Sequence, residues 1–426
     1  MSIFDIMEHR IAAKIFLLIY LTVPFIITNK MMLDINTLRL LQFSVLNSVA
    51  IMYIFFVKDL TSIFFKVITN KILICLAGFI LWALGSYFYA INGNEVIIRI
   101  FTFINFFVFI LSISTFLIYS NISFKKISLF ISLILLAEIF YSYKAYFNII
   151  EFSDYNFNMN NQIIGLFGNR NVTTSIYLLQ IPFVIYTYLN SSKVYLKILS
   201  LFILYSTLFM VFLLSSRTSY LIMIVLSGLY FLAYVYYNKT NTNKFIKSQF
   251  SVFSLAVLLT FLLSSVSLGF NSEASAVNRV TTIDVKDYST ATRIRYYGYA
   301  FEHLFKNPIF GVGLGNWKIE SINYDSDNIT SYIVPYTMHN DFLETAVELG
   351  VLGLFLYLAI FAIPIIYLAR SALTKESNHK IILLSSILVF FIDSNINFPF
   401  TRISAMFWLA SLISLVILSI NNPKDA

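Results

Sequence analysis

Charge is what this sequence has least of. Only 12% of its 426 residues are Asp, Glu, Lys or Arg, against about 25% in an ordinary soluble domain. Together with 59% hydrophobic and 18% aromatic residues and a mean hydropathy of +0.80, that scarcity argues against a soluble globular chain. Cysteine is reduced to Cys75, which excludes an intramolecular disulfide. Lying in an apolar run, it is expected to be a small buried hydrophobe. No HExxH, cysteine cluster or second histidine at ligand spacing is present, so no metal site and no cofactor are expected. A GxSxG elbow is missing too, which leaves Ser-His-Asp hydrolysis without its motif. The net charge of +8 comes without a compact basic patch or RNA-binding motif, so nucleic acid is not an expected partner. No small-residue cleavage site follows the first apolar run, which therefore reads as a retained helix.

Apolar runs near 20 residues, by contrast, are abundant. Backbone in hydrocarbon must satisfy its own hydrogen bonds, as helices or as a closed barrel. The runs are too long and continuous for the roughly ten-residue alternating strands of a barrel. The expected fold class is all-α, a polytopic membrane protein forming a single integral membrane domain over residues 1–426. About twelve spans fall near 11–28, 38–57, 72–91, 97–119, 127–148, 171–189, 194–214, 218–237, 246–267, 350–369, 380–397 and 402–420. With both termini cytoplasmic, the inner segments collect sixteen of the 29 lysines and arginines, against seven on the short outer segments. That bias follows the positive-inside rule and puts the long polar interval, residues 268–340, outside.

Within that loop, residues 289–307 fit one amphipathic helix, with Ser289 or Thr290 as cap and an end forced by Pro308. Ile294, Tyr297, Phe301 and Leu304 share a stripe suited to the membrane interface, with Arg293 on a neighbouring edge. The following Gly311-Val-Gly-Leu-Gly-Asn-Trp317 lacks the spacing of a dinucleotide fingerprint and reads as a tight turn, with Trp317 at headgroup level.

The polar groups that could do chemistry gather on the outer side. His339 stands just before the Val351 span, followed by Asn340. Asp341 and Glu344 fit the N-cap and N3 places of a capping box, whereas Glu348 near a helix C-terminus would oppose the dipole. Arg217 sits in an outer turn that charge statistics disfavour, and Arg293, Arg295 and Arg402 share that face. Guanidiniums pair bidentately with phosphate oxygens, and an adjacent histidine can deprotonate a hydroxyl near neutral pH. Asn171, in Gly168-Asn-Arg-Asn171, is a natural N-cap for the sixth span.

The order Gly168-Asn-Arg-Asn171, Ser216-Arg217, Arg293-x3-Tyr297, Lys306-Asn-Pro308-x2-Gly311-x-Gly313, His339-Asn340 and Glu348-x-Gly350-x2-Gly353 resembles the O-antigen ligase and polymerase superfamily. The resemblance covers roughly residues 165–410; Arg170 replaces the proline usual in the first motif. It implies a multi-pass membrane glycosyltransferase of the bacterial inner membrane, metal-independent and inverting. Its donor would be a glycan on undecaprenyl diphosphate, in contact with membrane lipid, and its acceptor a sugar of the lipid A core. The alternative is a polymerase joining lipid-linked repeats. Carried over, His339 would be the base, with Arg217 and Arg293 on the leaving diphosphate. Arg295, Arg402, Asn171, Asn340 and Glu348 would be substrate-binding. The rival reading, a transporter of lipid-linked glycans, needs charge within the spans, where Glu138 and Asp393 are the main examples.

Overall fold

The computed structural model describes residues 3–26, 35–152, 159, 162–239, 244–268, 288–329, 336–372 and 378–421. Asn241, Asn278, Arg279 and Lys286 lie outside the described residues. Among the described residues there are fifteen α-helices and no strand. They are α1 Ile3–Tyr20, α2 Ile35–Phe56, α3 Lys58–Ile68, α4 Lys71–Gly85, α5 Gly93–Ser120, α6 Phe124–Phe152, α7 Arg170–Asn190 and α8 Val194–Leu214. The second half holds α9 Arg217–Lys239, α10 Lys244–Leu268, α11 Tyr288–Lys306, α12 Trp317–Asp325, α13 Asp341–Ala372, α14 Asn378–Ile396 and α15 Ile403–Asn421. Ten of them (α2, α4 with the 3-10 turn that extends it to Phe88, α5, α7, α8, α9, α10, α13, α14 and α15) are long and apolar enough to cross a membrane. Of the other two expected spans, 127–148 falls within α6, and 11–28 overlaps α1, which ends at Tyr20. The chain is a polytopic helical membrane protein.

Three helices form the centre. In their most apolar stretches, 89% of α15 and 83% of α7 is buried, against 28% of α2. The buried faces carry hydroxyls rather than bulk: Thr173, Ser175 and Thr187 on α7, Ser385 and Ser386 on α14, Ser404 and Ser414 on α15. Small hydroxyl side chains let helices approach, and each can bond within its own helix, as Thr187 does to Phe183 O (2.9 Å) and Ser414 to Ala410 O (2.9 Å). Bulky Phe56 and Phe88 are left outside. Cys75 is half-buried on α4, less enclosed than expected.

Two helices, α3 and α12, were not foreseen. In α3, Leu60, Phe64 and Val67 turn inward while Lys58, Asp59 and Lys66 face out, the pattern of a short surface helix rather than a span.

The described residues 288–329 and 336–349 form a packed layer, not an open loop, and glycine explains how it docks. α13 is broken at Gly350 (φ 69°, ψ −173°), which frees carbonyls one turn earlier. Val312 N–H donates to Val347 O (3.0 Å), Gly313 N–H to Glu348 O (2.8 Å) and Val351 N–H to Pro308 O (2.9 Å). A Cβ at residue 350 would stand 1.9 Å from Ile309 O, so the wedge admits only glycine there. The wedge also draws Trp317 into the interior, with Ala300, Val312, Met338 and Val347, instead of leaving it at headgroup level. Likewise the stripe of α11 divides. Tyr297, Ala300 and Leu304 pack on this second core, while Ile294, Phe301 and Phe305 are exposed.

Candidate active site

Met338-His339-Asn340 sets the entry to α13. Asn340 is the N-cap: its Oδ1 accepts from the Phe342 and Leu343 amides, both at 3.0 Å. Glu344 Oε2 reaches back to the Met338 amide at 2.9 Å. The expected capping box is therefore not formed: Asn340 replaces Asp341 as the cap, Glu344 bonds the amide two residues before that cap, and Asp341 accepts from Phe400 N–H at 3.3 Å. Between these fixed points His339 adopts φ 58°, the left-handed region that costs an L-residue about 1–2 kcal/mol. Tyr297 Oη, on α11, donates to His339 O at 3.2 Å and holds the distortion from the other side. The imidazole stands edge-on to Phe398, 4.8 Å between centroids. Its Nδ1 is buried with no hydrogen-bond partner among the described residues. Burial, and secondarily the Arg293 charge, push its pKa down to about 4. At neutral pH the ring is uncharged.

The turn after α14 gathers the arginines. Phe398 also lies 5.6 Å from the Arg402 guanidinium, in cation–π contact. Asn397 is buried; its Nδ2 donates to Asp393 Oδ1 (2.6 Å) and to Thr218 Oγ1 (3.4 Å), next to Arg217 at the start of α9. Ser175 of α7 donates to the same Asp393 oxygen at 2.7 Å. Behind Arg402 runs the Gly168-Asn-Arg-Asn171 turn: a Cβ on Gly168 would meet Arg402 Nη1 at 3.5 Å. The cap of α7 is Asn169, accepting from the Asn171 (2.8 Å) and Val172 (3.3 Å) amides, so Asn171 is not the cap. Arg293 completes the group from α11, its charge reaching both His339 and Tyr297.

His339 and Arg402 therefore meet at Phe398, and Arg293 acts on His339 from α11. Arg217 is next in sequence to Thr218, which touches Asn397, and Asn171 lies on the adjoining turn. Two other expected residues face elsewhere. Arg295 is paired with Asp325 on α12 (Nε–Oδ1 2.9 Å, Nη2–Oδ2 3.3 Å). Glu348 Oε1 accepts from Trp317 N–H at 3.0 Å, so its carboxylate caps the N-terminus of α12 and the dipole conflict is relieved. Asp341, Glu344 and Glu348 also share a small pocket of about 40 Å³ with Arg99, which sequence reading passed over. Asp393 and Asn397 were legible as a polar i, i+4 pair in an apolar span, but only the fold shows what they tie together. Among the described residues no group of His, Cys, Asp or Glu is placed to hold a metal ion.

No curated protein matches the chain. Residues 200–358 match the family described as O-Antigen ligase, a stretch that includes Arg217, Arg293, His339 and Glu348. Within its polytopic helical framework, then, residues 200–358 of this chain are similar to the O-antigen ligase family.

Proposed function

We propose that the chain transfers a glycan from undecaprenyl diphosphate to a sugar of the lipid A core at the outer face of the inner membrane. The observation that carries this reading is a neutral histidine, held in a strained backbone by three elements, beside the charges of Arg293 and Arg402. In the proposed step the acceptor hydroxyl attacks the anomeric carbon and forms the new C–O bond. The old bond to the diphosphate oxygen breaks and its electron pair leaves with the diphosphate. His339 takes the hydroxyl proton. A single displacement of this kind inverts the anomeric centre. Arg217, Arg293 and Arg402 stabilise the negative charge that develops on the leaving group. Because they supply positive charge there, turnover is expected to persist in chelator.

The depressed basicity of His339 has a use in this scheme. Part of it comes from Arg293. A bound diphosphate offsets that cation and adds negative charge nearby, so donor binding raises the imidazole pKa towards neutrality. The base strengthens only when its substrate is present. Polysaccharide from a deletion strain tests the reaction class. Long chains that accumulate unattached to the lipid A core support the ligase. Single repeats on the lipid carrier would replace it with a polymerase.

A further inference from the structure

At the opposite end of the bundle, α1, α5, α6 and α15 enclose a cavity of about 480 Å³, within the roughly 300–1,000 Å³ of ligand sites. Its walls are apolar, with Leu17, Ile113, Leu117, Phe130, Ile131 and Leu415 among them. Two of its polar side chains are turned to other partners: Tyr20 donates to Asn47 Oδ1 (3.0 Å) and Ser411 to Phe407 O (2.8 Å). Trp408 likewise points its Nε1 away, to Glu138 Oε1 at 3.2 Å, and presents carbon to the cavity. The remaining polar lining is Lys14, Lys126 and Asn121, all exposed. Lys126 opens α6 and Asn121 closes α5, so they mark one mouth. From Lys126 to Ile134, also on the wall, is eight residues of helix, about 12 Å of groove at 1.5 Å per residue.

An apolar slot with cations at one rim is complementary to a single kind of occupant. We infer that this groove binds one anionic phospholipid of the cytoplasmic leaflet, its phosphate between Lys14 and Lys126 and an acyl chain along the wall towards Tyr20 and Trp408. Lysine suits the task, since a compact ammonium needs no fixed geometry to meet a phosphate. Basic pockets between spans on the cytoplasmic side are where acidic headgroups bind. The site lies apart from the His339 end and shares no lining residue with it.

Full-length protein released from detergent in a native mass spectrometer tests this directly, with dioleoyl phosphatidylglycerol and dioleoyl phosphatidylethanolamine offered at equal concentration. One phosphatidylglycerol should be retained, preferred by about 5- to 30-fold, the worth of one to two lysines near a headgroup. Lys14→Gln with Lys126→Gln should bring the preference close to one, and Lys14→Arg with Lys126→Arg should keep it. Both positions are exposed, so the fold should tolerate these changes. Ile131→Trp, filling the groove, should lower retention of either lipid. Equal binding of the two lipids by the wild type would overturn the inference, as would a preference that survives loss of both lysines. Undiminished phosphatidylglycerol retention by a folded Ile131→Trp variant would do the same.

Discussion

The two ends of the bundle use cations by opposite rules. At one end Lys58, Lys66, Lys71, Lys125, Lys126 and Lys193 stand exposed at helix termini. At the other end, where Lys306 and Lys318 pair with Glu302 and Glu95, the arginines are drawn inward: Arg39 is buried, and Arg99, Arg170, Arg217, Arg293 and Arg402 are half-buried. Arg39 donates to Ser404 Oγ (3.2 Å), Pro24 O (2.9 Å) and Ile26 O (3.1 Å). A lysine that only orients a span needs its stem in the membrane and its ammonium in water. A guanidinium drawn inward needs acceptors in the plane of its fork, so placing several together has a cost that a boundary role would not require. The lysine end reads as orientation and lipid contact, the arginine end as chemistry.

The comparison breaks most sharply on orientation. A reporter active only outside the cytoplasm should work when fused near Asn278 and fail near Asn241. The reverse pattern would put the lysines outside and strip the arginine end of its substrate. Next in size is His339. Its replacement by Ala should slow transfer by about 10²–10⁴-fold while insertion and donor binding persist. His339→Gln should be nearly as slow, since glutamine accepts no proton at neutral pH; near-normal turnover by it would sink the base assignment. The acid side of the kcat/KM profile should reflect the free imidazole, at about pH 4. That of kcat should lie higher, because bound diphosphate raises the pKa. Stability follows the same group. Its folded pKa is below the unfolded value near 6.5, so the unfolded chain binds more protons between the two. Its contribution is therefore present above pH 6.5 and lost as the pH falls towards 4.

The wedge at Gly350 connects the arginine end to the membrane helices. Gly350→Ala puts a methyl group into Ile309 O and imposes φ 69° on an L-residue. A loss of about 3 kcal/mol or more is expected, read as a lower melting temperature in detergent. A variant melting like the wild type would mean that the 307–315 segment does not need the break in α13.

The spans were legible because hydropathy acts locally, residue by residue along a helix. Caps were legible only as far as Asn and Asp can be told apart by position. At Asn169/Asn171 and Asn340/Asp341 two capable residues compete, and in each pair the earlier one caps. Trp317 was misplaced because what buries it lies some thirty residues on, at Val347 and Glu348. Short-range pattern carries no trace of that contact. His339 stood out from its place before a helix, but its left-handed backbone depends on Tyr297, which no local signal supplies.

The smallest effects come from two arginines on one helix. Arg293 and Arg295 are two residues apart on α11, so about 200° separates them. The structure uses that separation: Arg293 turns its charge on His339, while Arg295 is clamped to Asp325 on α12. Lysine at 293 keeps the charge and loses the planar fork. If the fork holds diphosphate, turnover should fall about ten- to hundredfold, the worth of one hydrogen bond to a charged group. Lysine at 295 can still meet the Asp325 carboxylate through one donor, and Arg295 is a third exposed, where ion pairs are weak. Its activity should stay within about threefold of wild type, with any loss recovered by lowering the assay temperature, as befits a contact that docks α11 on α12. Asp325 is nearly buried, so Arg295→Ala should hurt more than Arg295→Lys by leaving that carboxylate unpaired. An active Arg293→Lys beside an inactive Arg295→Lys would mean that α11 presents its other edge to the substrate, and Asp325 would then be part of the site.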